Sequence, residues 1–428
     1  MMRHRSRIVL LLCGSLLGIV CSALAADDAW PEFRGPTQQG HAASADPPLK
    51  WSDTGAQKTN IKYMTEIPGR GWSSPVVLGD QVWMTTATLD GHLLRALCVN
   101  KESGAFVHDV EVFHVQNPAR INAFNSYASP SPVIEKGRVY VCFGAEGSAC
   151  LDTATAKPIW KNEELRISHM EGAGSSPVIY RDLYLLHCDG TDKQFVAALN
   201  KETGKLAWKK DRDTPFPWYL LGPFRKAFGT PLIIQVDGKD QLISPAARRL
   251  YSYDPLTGDE LWHVDLEAPA YSTAPRPVFA NGILYICTGY DRAQLWAIRV
   301  DNKSAGDVTA THVLWKLTKG VPLKPSPLLV GDELYIVSDD GIAKCVDAKT
   351  GNELWHARVG TRFSASPVDA KGRIYFFDEG GRSIVLQAGR QFKILAENSL
   401  ESGCVATPAF SGKAIFLRSK THLYRVEE

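Results

Sequence analysis

No two cysteines are adjacent in the 428-residue chain, and none stand in a CxxC or CxxCH arrangement. That removes the usual signatures of a zinc knuckle, a covalently attached haem and a redox-active dithiol. GxSxG, HExxH and the phosphate-binding GxxxxGK[ST] are missing too. Their absence excludes the nucleophile-elbow hydrolases, the HExxH metalloproteases and the P-loop enzymes. There is almost no charge imbalance. Setting aside Arg3, Arg5 and Arg7 leaves 45 Lys and Arg against 46 Asp and Glu. Such a balance gives no general reason to expect nucleic acid or an acidic membrane surface as partner. No Ser/Gly-rich or charge-rich run interrupts the chain, so it does not read as separate domains on linkers.

A long hydrophobic run is also lacking. "IVLLLCGSLLGIV" near the start is 13 residues, well short of the roughly 20 needed to span a bilayer. It follows the basic "MMRHRSR" and precedes "SALA", which reads as a secretory leader cleaved after Ala25. Cys21 follows Gly18-Ile19-Val20, and Val20 is too large for the last position of a lipoprotein signal. The expectation is export, to the periplasm or beyond, as a soluble mature chain of about 403 residues. Seven cysteines then remain, an odd number that cannot all pair. Cys142, Cys188 and Cys287 lie in apolar runs, where buried thiols are common.

What the chain has in abundance is repetition. "NKESGAFVHD" (100–109), "DTATAKPIWK" (152–161), "NKETGKLAWK" (200–209), "DPLTGDELWH" (254–263) and "DAKTGNELWH" (347–356) share one pattern. Asp or Asn precedes a Gly (Ala156 in one copy) by four residues, and a large ring follows it by four. Those rings are His108, Trp160, Trp208, Trp262 and Trp355. A second motif, an apolar run opened by Pro and usually preceded by Ser or Thr, recurs at Pro75, Pro132, Pro177, Pro231, Pro277, Pro327, Pro367 and Pro408. Proline suits the first residue of a strand, where its missing N–H costs little. Each repeat thus reads as four short antiparallel strands, a β-propeller blade. The Asn/Asp and Gly make the tight turn between strands three and four. The ring that follows packs the outer strand against the next blade.

The eighth repeat ends after three strands, at "THLYRVEE". "NIKYMTEI" (60–67) is placed to supply the fourth and close the ring, since Tyr63 lies twelve residues before Pro75 as Trp355 does before Pro367. The expected organisation is a leader over 1–25, an extension over 26–59 and an eight-bladed, all-β propeller over 60–428. Seven blades is the alternative, because repeats five and seven carry degenerate motifs.

The repeats resemble the PQQ-like, or tryptophan-docking, propeller repeat. That family includes quinoprotein alcohol dehydrogenases and outer-membrane assembly factor B lipoproteins. "WPEFRGP", "GRGWSSPVV", "SYASPSPV" and "THLYRVE" are similar to secreted PQQ-like repeat proteins of planctomycete bacteria. The resemblance covers nearly all of 29–428 and implies the fold. Function needs a site of its own.

Turns from strand one to two and from three to four share one face and are short. The other face carries the blade-to-blade connections, which are long, and such loops are where sites usually sit. Candidate ligand contacts there are Arg70, Trp72, Asn122, Asn125, Tyr127, His169, Glu171, Arg225, Lys226, Lys324 and Arg362, with Arg120, Trp218 and Tyr219 beside them. Trp72 and Tyr127 could equally fill the channel, and His169 with Glu171 could be a loop hydrogen bond or an acid–base or metal pair. Arg70, Arg225, Lys226, Lys324 and Arg362 could form a basic funnel for an anion. "HCDGTD" and "SDDG" lack calcium-loop spacing and read as hairpin turns. With no catalytic constellation in view, the expectation is a monomeric, exported, non-enzymatic binding or scaffolding propeller without a cofactor. Its partner would be an envelope protein or a small polar or anionic ligand. The resemblance keeps a PQQ- and calcium-dependent dehydrogenase as one alternative, and mouth carboxylates keep a carbohydrate-active propeller as another.

Overall fold

A computed structural model describes residues 28–55, 57–214, 222–267 and 270–428. The leader, Trp218 and Tyr219 lie outside the described residues. Eight antiparallel sheets follow one another along the chain. Seven are consecutive four-stranded meanders, one of them with an added fifth strand, and the eighth is made from both ends of the chain. In that last blade Ile61–Glu66 pairs antiparallel with His422–Val426, so the amino-terminal strand closes the ring. Eight blades, and not seven, are present.

The repeated residues explain how blade meets blade. In six of the blades the residue before the aligned Pro passes a hydrogen bond to the next blade. The N–H of Ser74 donates to Ser131 Oγ (2.9 Å), that of Ser131 to Ser176 Oγ (2.9 Å) and that of Ser176 to Thr230 Oγ1 (3.0 Å). The series resumes from Arg276 to Ser326, Ser366 and Thr407, each at 2.9 Å. All these hydroxyl-bearing residues are buried, where an unpaired amide would be costly. The Ser/Thr-Pro motif is therefore an inter-blade clasp as well as a strand start.

At the rim, the ring-bearing residue of one blade seats on the Gly turn of the next. A Cβ at Gly204 would lie 2.6 Å from the Trp160 ring, and Trp160 Nε1 donates to Lys201 O at 2.7 Å. Trp208 meets Gly258 and Tyr63 meets Gly104 in the same way. Each such turn has positive φ (Gly104 74°, Gly204 69°, Gly258 72°), so glycine is required both for backbone freedom and for ring contact. A register shift recurs in every blade beside the docking position, for example between Ala198 and Leu199 opposite Trp208. This bulge turns the outer strand so that its ring faces the neighbour.

Two degenerate repeats recover the contact by other means. In blade five the turn is lengthened, and Trp315, in the outer strand Val313–Leu317, seats on Gly351. Blade seven has only Ala396 at the docking position, opposite Val385. There Trp51 of the amino-terminal extension fills the space. It lies 6.3 Å from Tyr375 and 6.2 Å from Phe377, both near-parallel, and is 2% exposed. Tyr375 is the strand-two partner that Tyr335 is to Trp355 and Tyr140 is to Trp160.

The extension does more than lend a tryptophan. Between Trp30 and Ala42 it runs along the ring axis and pairs with the inner strands of five blades. Trp30 exchanges two backbone hydrogen bonds with Val77, and Pro31 O accepts from Ile134 N. Gln38 Oε1 accepts from Ile233 N and Gln39 Oε1 from Phe279 N, while Gly40 O accepts from Asp369 N. Each of these strand residues stands two after its aligned Pro. Two fully buried arginines lock the segment. Arg276, which replaces Ser/Thr before Pro277, donates to Phe33 O (2.6 Å) and Pro231 O (2.9 Å) and lies 3.3 Å from Glu32. Arg34 donates to Gln39 O and to Pro327 O. Asp28 O and Asp46 N bond to Ser411 and Gly412, in and beside the short turn of blade eight, so the segment enters from the short-turn face.

All seven cysteines described are free and buried. Among the described residues no helix is long and apolar enough to cross a membrane.

Candidate functional site

The blade-to-blade connections gather on the face opposite the short turns, and one of them dominates. The 115–132 connection crosses the ring mouth. Its Phe124 lies under the ammonium of Lys324, 4.5 Å away, and Lys324 belongs to the connection between blades five and six, half the ring distant. The candidate residues near this loop mostly hold it. Arg70 Nη2 donates to Ala123 O (2.6 Å) and Phe124 O (2.9 Å), and its guanidinium lies 5.0 Å over the Trp72 ring. Trp72 Nε1 also donates to Phe124 O, at 2.8 Å. Asn125 Nδ2 donates to the carbonyls of Glu171 (2.7 Å) and Ala173 (3.1 Å), tying the loop to the next connection. Asn122 caps the turn through Oδ1 to Phe124 N, and Tyr127 Oη donates to Ala119 O. Arg70, Leu89, Arg120, Asn122, Asn125 and Tyr127 line an open cavity of about 210 Å³ beside the loop.

Among the described residues no hydrogen bond or ion pair joins the side chains of His169 and Glu171. His169 Nδ1 instead lies 3.2 Å from the Nζ of Lys226, which is buried and stands 4.5 Å over Phe228. Burial, and then the Lys226 charge, push His169 down to about 3. Burial brings Lys226 down to about 8 against the opposing pull of Glu171 and Asp189. Lys226 is thus inside the wall and presents no charge to an exposed funnel. Lys324 is shared by Asp339 (3.4 Å) and Glu379 (3.3 Å), and Arg362 is 3.8 Å from the same Glu379. Arg225, in the short 3-10 turn Gly222–Arg225, is partly buried. Of these basic residues, Arg70 is spent on backbone carbonyls, Lys226 on a histidine, and Lys324 and Arg362 on carboxylates.

Beneath this face lies a polar layer that the repeat pattern did not reveal. Asp189 and Arg212 form a buried bidentate pair at 2.6 and 2.9 Å. His187 is buried with Nδ1 2.8 Å from Gly229 O and Nε2 2.8 Å from Ser244 Oγ. That arrangement fits the neutral ring, with Nδ1–H donating and Nε2 accepting. Burial holds His187 well below its ordinary value. Both histidines bind a proton less readily when folded than when unfolded. Their stabilisation is intact above about pH 6.5 and is lost as pH falls toward the folded values. Lowering the pH from 7 to 4.5 should cost about 2 kcal/mol through His169, with His187 acting in the same direction. Urea midpoints at the two pH values measure this, and His169→Gln should flatten the dependence.

What composition could not show is where apolar side chains remain uncovered. Leu89 (77% exposed), Phe124 (41%), Met170 (53%) and Tyr290 (51%) all belong to long-loop-face turns and connections. Tyr290 continues into a run with Tyr271 (6.3 Å) and Phe224 (4.9 Å from Tyr271). Most other large exposed apolar residues, such as Phe106, Ile159, Leu206, Leu314 and Ile394, sit one or two residues before the docking position of a blade. Those belong to the repeat and mark no single face.

The likeness to known proteins agrees with this geometry. The sequence model described as outer membrane protein assembly factor BamB matches residues 79–357 and 339–428. BamB of Shewanella oneidensis is 22% identical over 278 residues, covering 59% of this chain and 64% of that protein. Tetrathionate hydrolase of Acidithiobacillus ferrooxidans is 21% identical over 330 residues, covering 71% of this chain and 61% of that one. The chain thus spans somewhat less than two thirds of these curated relatives. The crystal structure of BamB from Moraxella catarrhalis superposes with a TM-score of 0.59 at 13% identity, over 85% of this chain and 99% of that one. With the matched sequence running from blade one to the final strand, the chain belongs to the outer membrane protein assembly factor BamB family.

Proposed function

We propose that the chain is an exported, non-enzymatic propeller of the cell envelope that docks a protein partner on its long-loop face. The observation that carries this reading is the placement of Leu89, Phe124, Met170 and Tyr290. They are uncovered on that face among engaged basic residues. Apolar groups rimmed by charge are the usual anatomy of a docking patch. The opposite face offers short turns, and the extension fills the axis from that side. In this reading Arg70, Trp72, Asn122, Asn125 and Tyr127 act by fixing the loop that presents Phe124. Lys324, Arg362 and Glu379 support it from across the ring. Membership of the BamB family supports protein binding in the envelope.

The resemblance to quinoprotein dehydrogenases raises PQQ with calcium, and the residues present do not fit them at the axis. Arg34 and Arg276 already fill the axis from the short-turn side. Among the described residues, the one cluster of three or more His, Cys, Asp or Glu arranged to hold a metal ion lies on the rim of blade four.

Capture from the organism's own envelope tests the proposal. A Phe124→Ser, Met170→Ser, Tyr290→Ser variant should lose the protein that the wild-type chain retains, while melting within a few degrees of it, since exposed substitutions cost little stability. Leu256→Ser, in a short turn of the opposite face, should retain it. Loss with Leu256→Ser and retention by the triple variant would put the partner on the other face.

A further inference from the structure

Blade four carries something that no other blade has. A fifth strand, Gly306–Asp307, runs parallel to its outer strand Glu260–Asp265. It comes from the lengthened turn of blade five, and the pairing places Asp307 directly beside His263. Asp265, two residues along, points to the same side as His263. One ligand atom from each of His263, Asp265 and Asp307 lies within 4.8 Å of the others. We propose that these three side chains form a binding site for a first-row divalent ion of the Zn²⁺ type, clipping the blade-five insertion to the edge of blade four.

Each ligand is oriented by a neighbour. His263 Nδ1 lies 2.6 Å from Glu260 Oε1. A carboxylate on one ring nitrogen fixes the tautomer and leaves the other, Nε2, as the lone pair that binds metal, the common support for a metal-bound histidine. Asp265 Oδ1 accepts from Arg249 Nε at 2.5 Å, and Asp307 Oδ1 accepts from Thr309 Oγ1 (2.6 Å) and N (2.9 Å). Those bonds leave the second oxygen of each carboxylate for a ligand. Arg249 also meets Asp213 at 3.1 Å. Three carboxylates, those of Asp213, Asp265 and Asp307, therefore surround one guanidinium, and a divalent ion relieves the imbalance. A nitrogen with two oxygens in a three-residue set suits zinc-like ions, whereas calcium and magnesium prefer oxygen alone.

The chain contains its own control. "NELWH" in blade six repeats "DELWH" of blade four. Its His356 Nδ1 lies 2.5 Å from Glu353 Oε1, the same orientation. Blade six has no fifth strand, and no aspartate is brought to His356. A His–Glu pair on an outer strand would bind metal equally at both blades if the aspartate of the fifth strand played no part.

Calorimetric titration of the tag-free mature chain with Zn²⁺ decides the matter. One ion per chain should bind, with affinity reduced at least about tenfold in His263→Ala and in Asp307→Asn. His356→Ala should bind as wild type, and Ca²⁺ in equal concentration should not displace Zn²⁺. Melting in chelator shows that the variants are folded. No stoichiometric binding, equal binding by all variants, or displacement by Ca²⁺ would overturn the site. The protein-docking reading would stand in each case, because the rim of blade four is not the long-loop face.

Discussion

A chain that begins at Pro68 should fail to form a stable ring. It lacks the strand Ile61–Glu66, whose ladder with His422–Val426 completes blade eight. It also lacks Tyr63, which seats on Gly104 of blade one and donates to Lys101 O at 3.2 Å. With these go Trp30 and Trp51, both essentially fully buried. Emptying a buried tryptophan site costs roughly 3–5 kcal/mol, and a whole domain is stable by about 5–15 kcal/mol. Two such losses with an opened blade should bring the folded state near or below zero. Circular dichroism melts and protease digestion of the truncated and full mature chains measure this. A truncated chain that melts within a few degrees of the full one would show that the ring does not depend on its amino-terminal strand.

Trp51→Ala alone should destabilise the protein by about 3–5 kcal/mol, as much as Trp355→Ala. The two residues do the same task by different routes. Trp355 lies in its own blade's outer strand and bonds through Nε1 to Gly389 O. Trp51 arrives from the extension, with its backbone N–H held by Asn398 Oδ1 (2.9 Å) and its neighbour Leu49 accepting from Asn398 Nδ2 (2.9 Å). Each ring lies beside the strand-two tyrosine of the blade it serves, Trp51 6.3 Å from Tyr375 and Trp355 6.0 Å from Tyr335. Chemical denaturation of the two single variants gives the comparison. A loss below about 1 kcal/mol for Trp51→Ala would mean that blade seven holds without its borrowed ring.

The blades were legible because their signal is periodic. Ser/Thr-Pro, Asn/Asp-x₃-Gly and the ring four residues later each recur at one place in the blade, so the fold and its closure could be read directly. Trp315 escaped because an insertion breaks the spacing in blade five, and Trp51 because it lies outside the repeat altogether. Arg276 was visible as the one non-hydroxyl residue before an aligned proline, though nothing in sequence says that it reaches Phe33 and Glu32. On the long-loop face, sequence placed the connections together but not the use of their polar atoms. Arg70, Trp72 and Asn125 spend them on neighbouring carbonyls, and Lys226 turns inward. Uncovered side chains such as Phe124 and Met170 have no sequence signature, because exposure depends on which loop crosses which.

The axial segment bears on the order in which the molecule is made. Trp30 to Ala42 stands near the amino terminus, yet its contacts reach blades one, two, four, five, six and seven. Arg34 and Pro327 are 293 residues apart in sequence, and Asn398 and Leu49 are 349 apart. Contacts of such range are slow to form, since the chain between them must be ordered first. The segment's partners in blades one and two come early, but those in blade seven follow only after more than 320 further residues. The grip of the wheel on its spindle is then completed only when the seventh blade arrives, and a nascent chain held before that moment leaves the inner edges of its later blades uncovered.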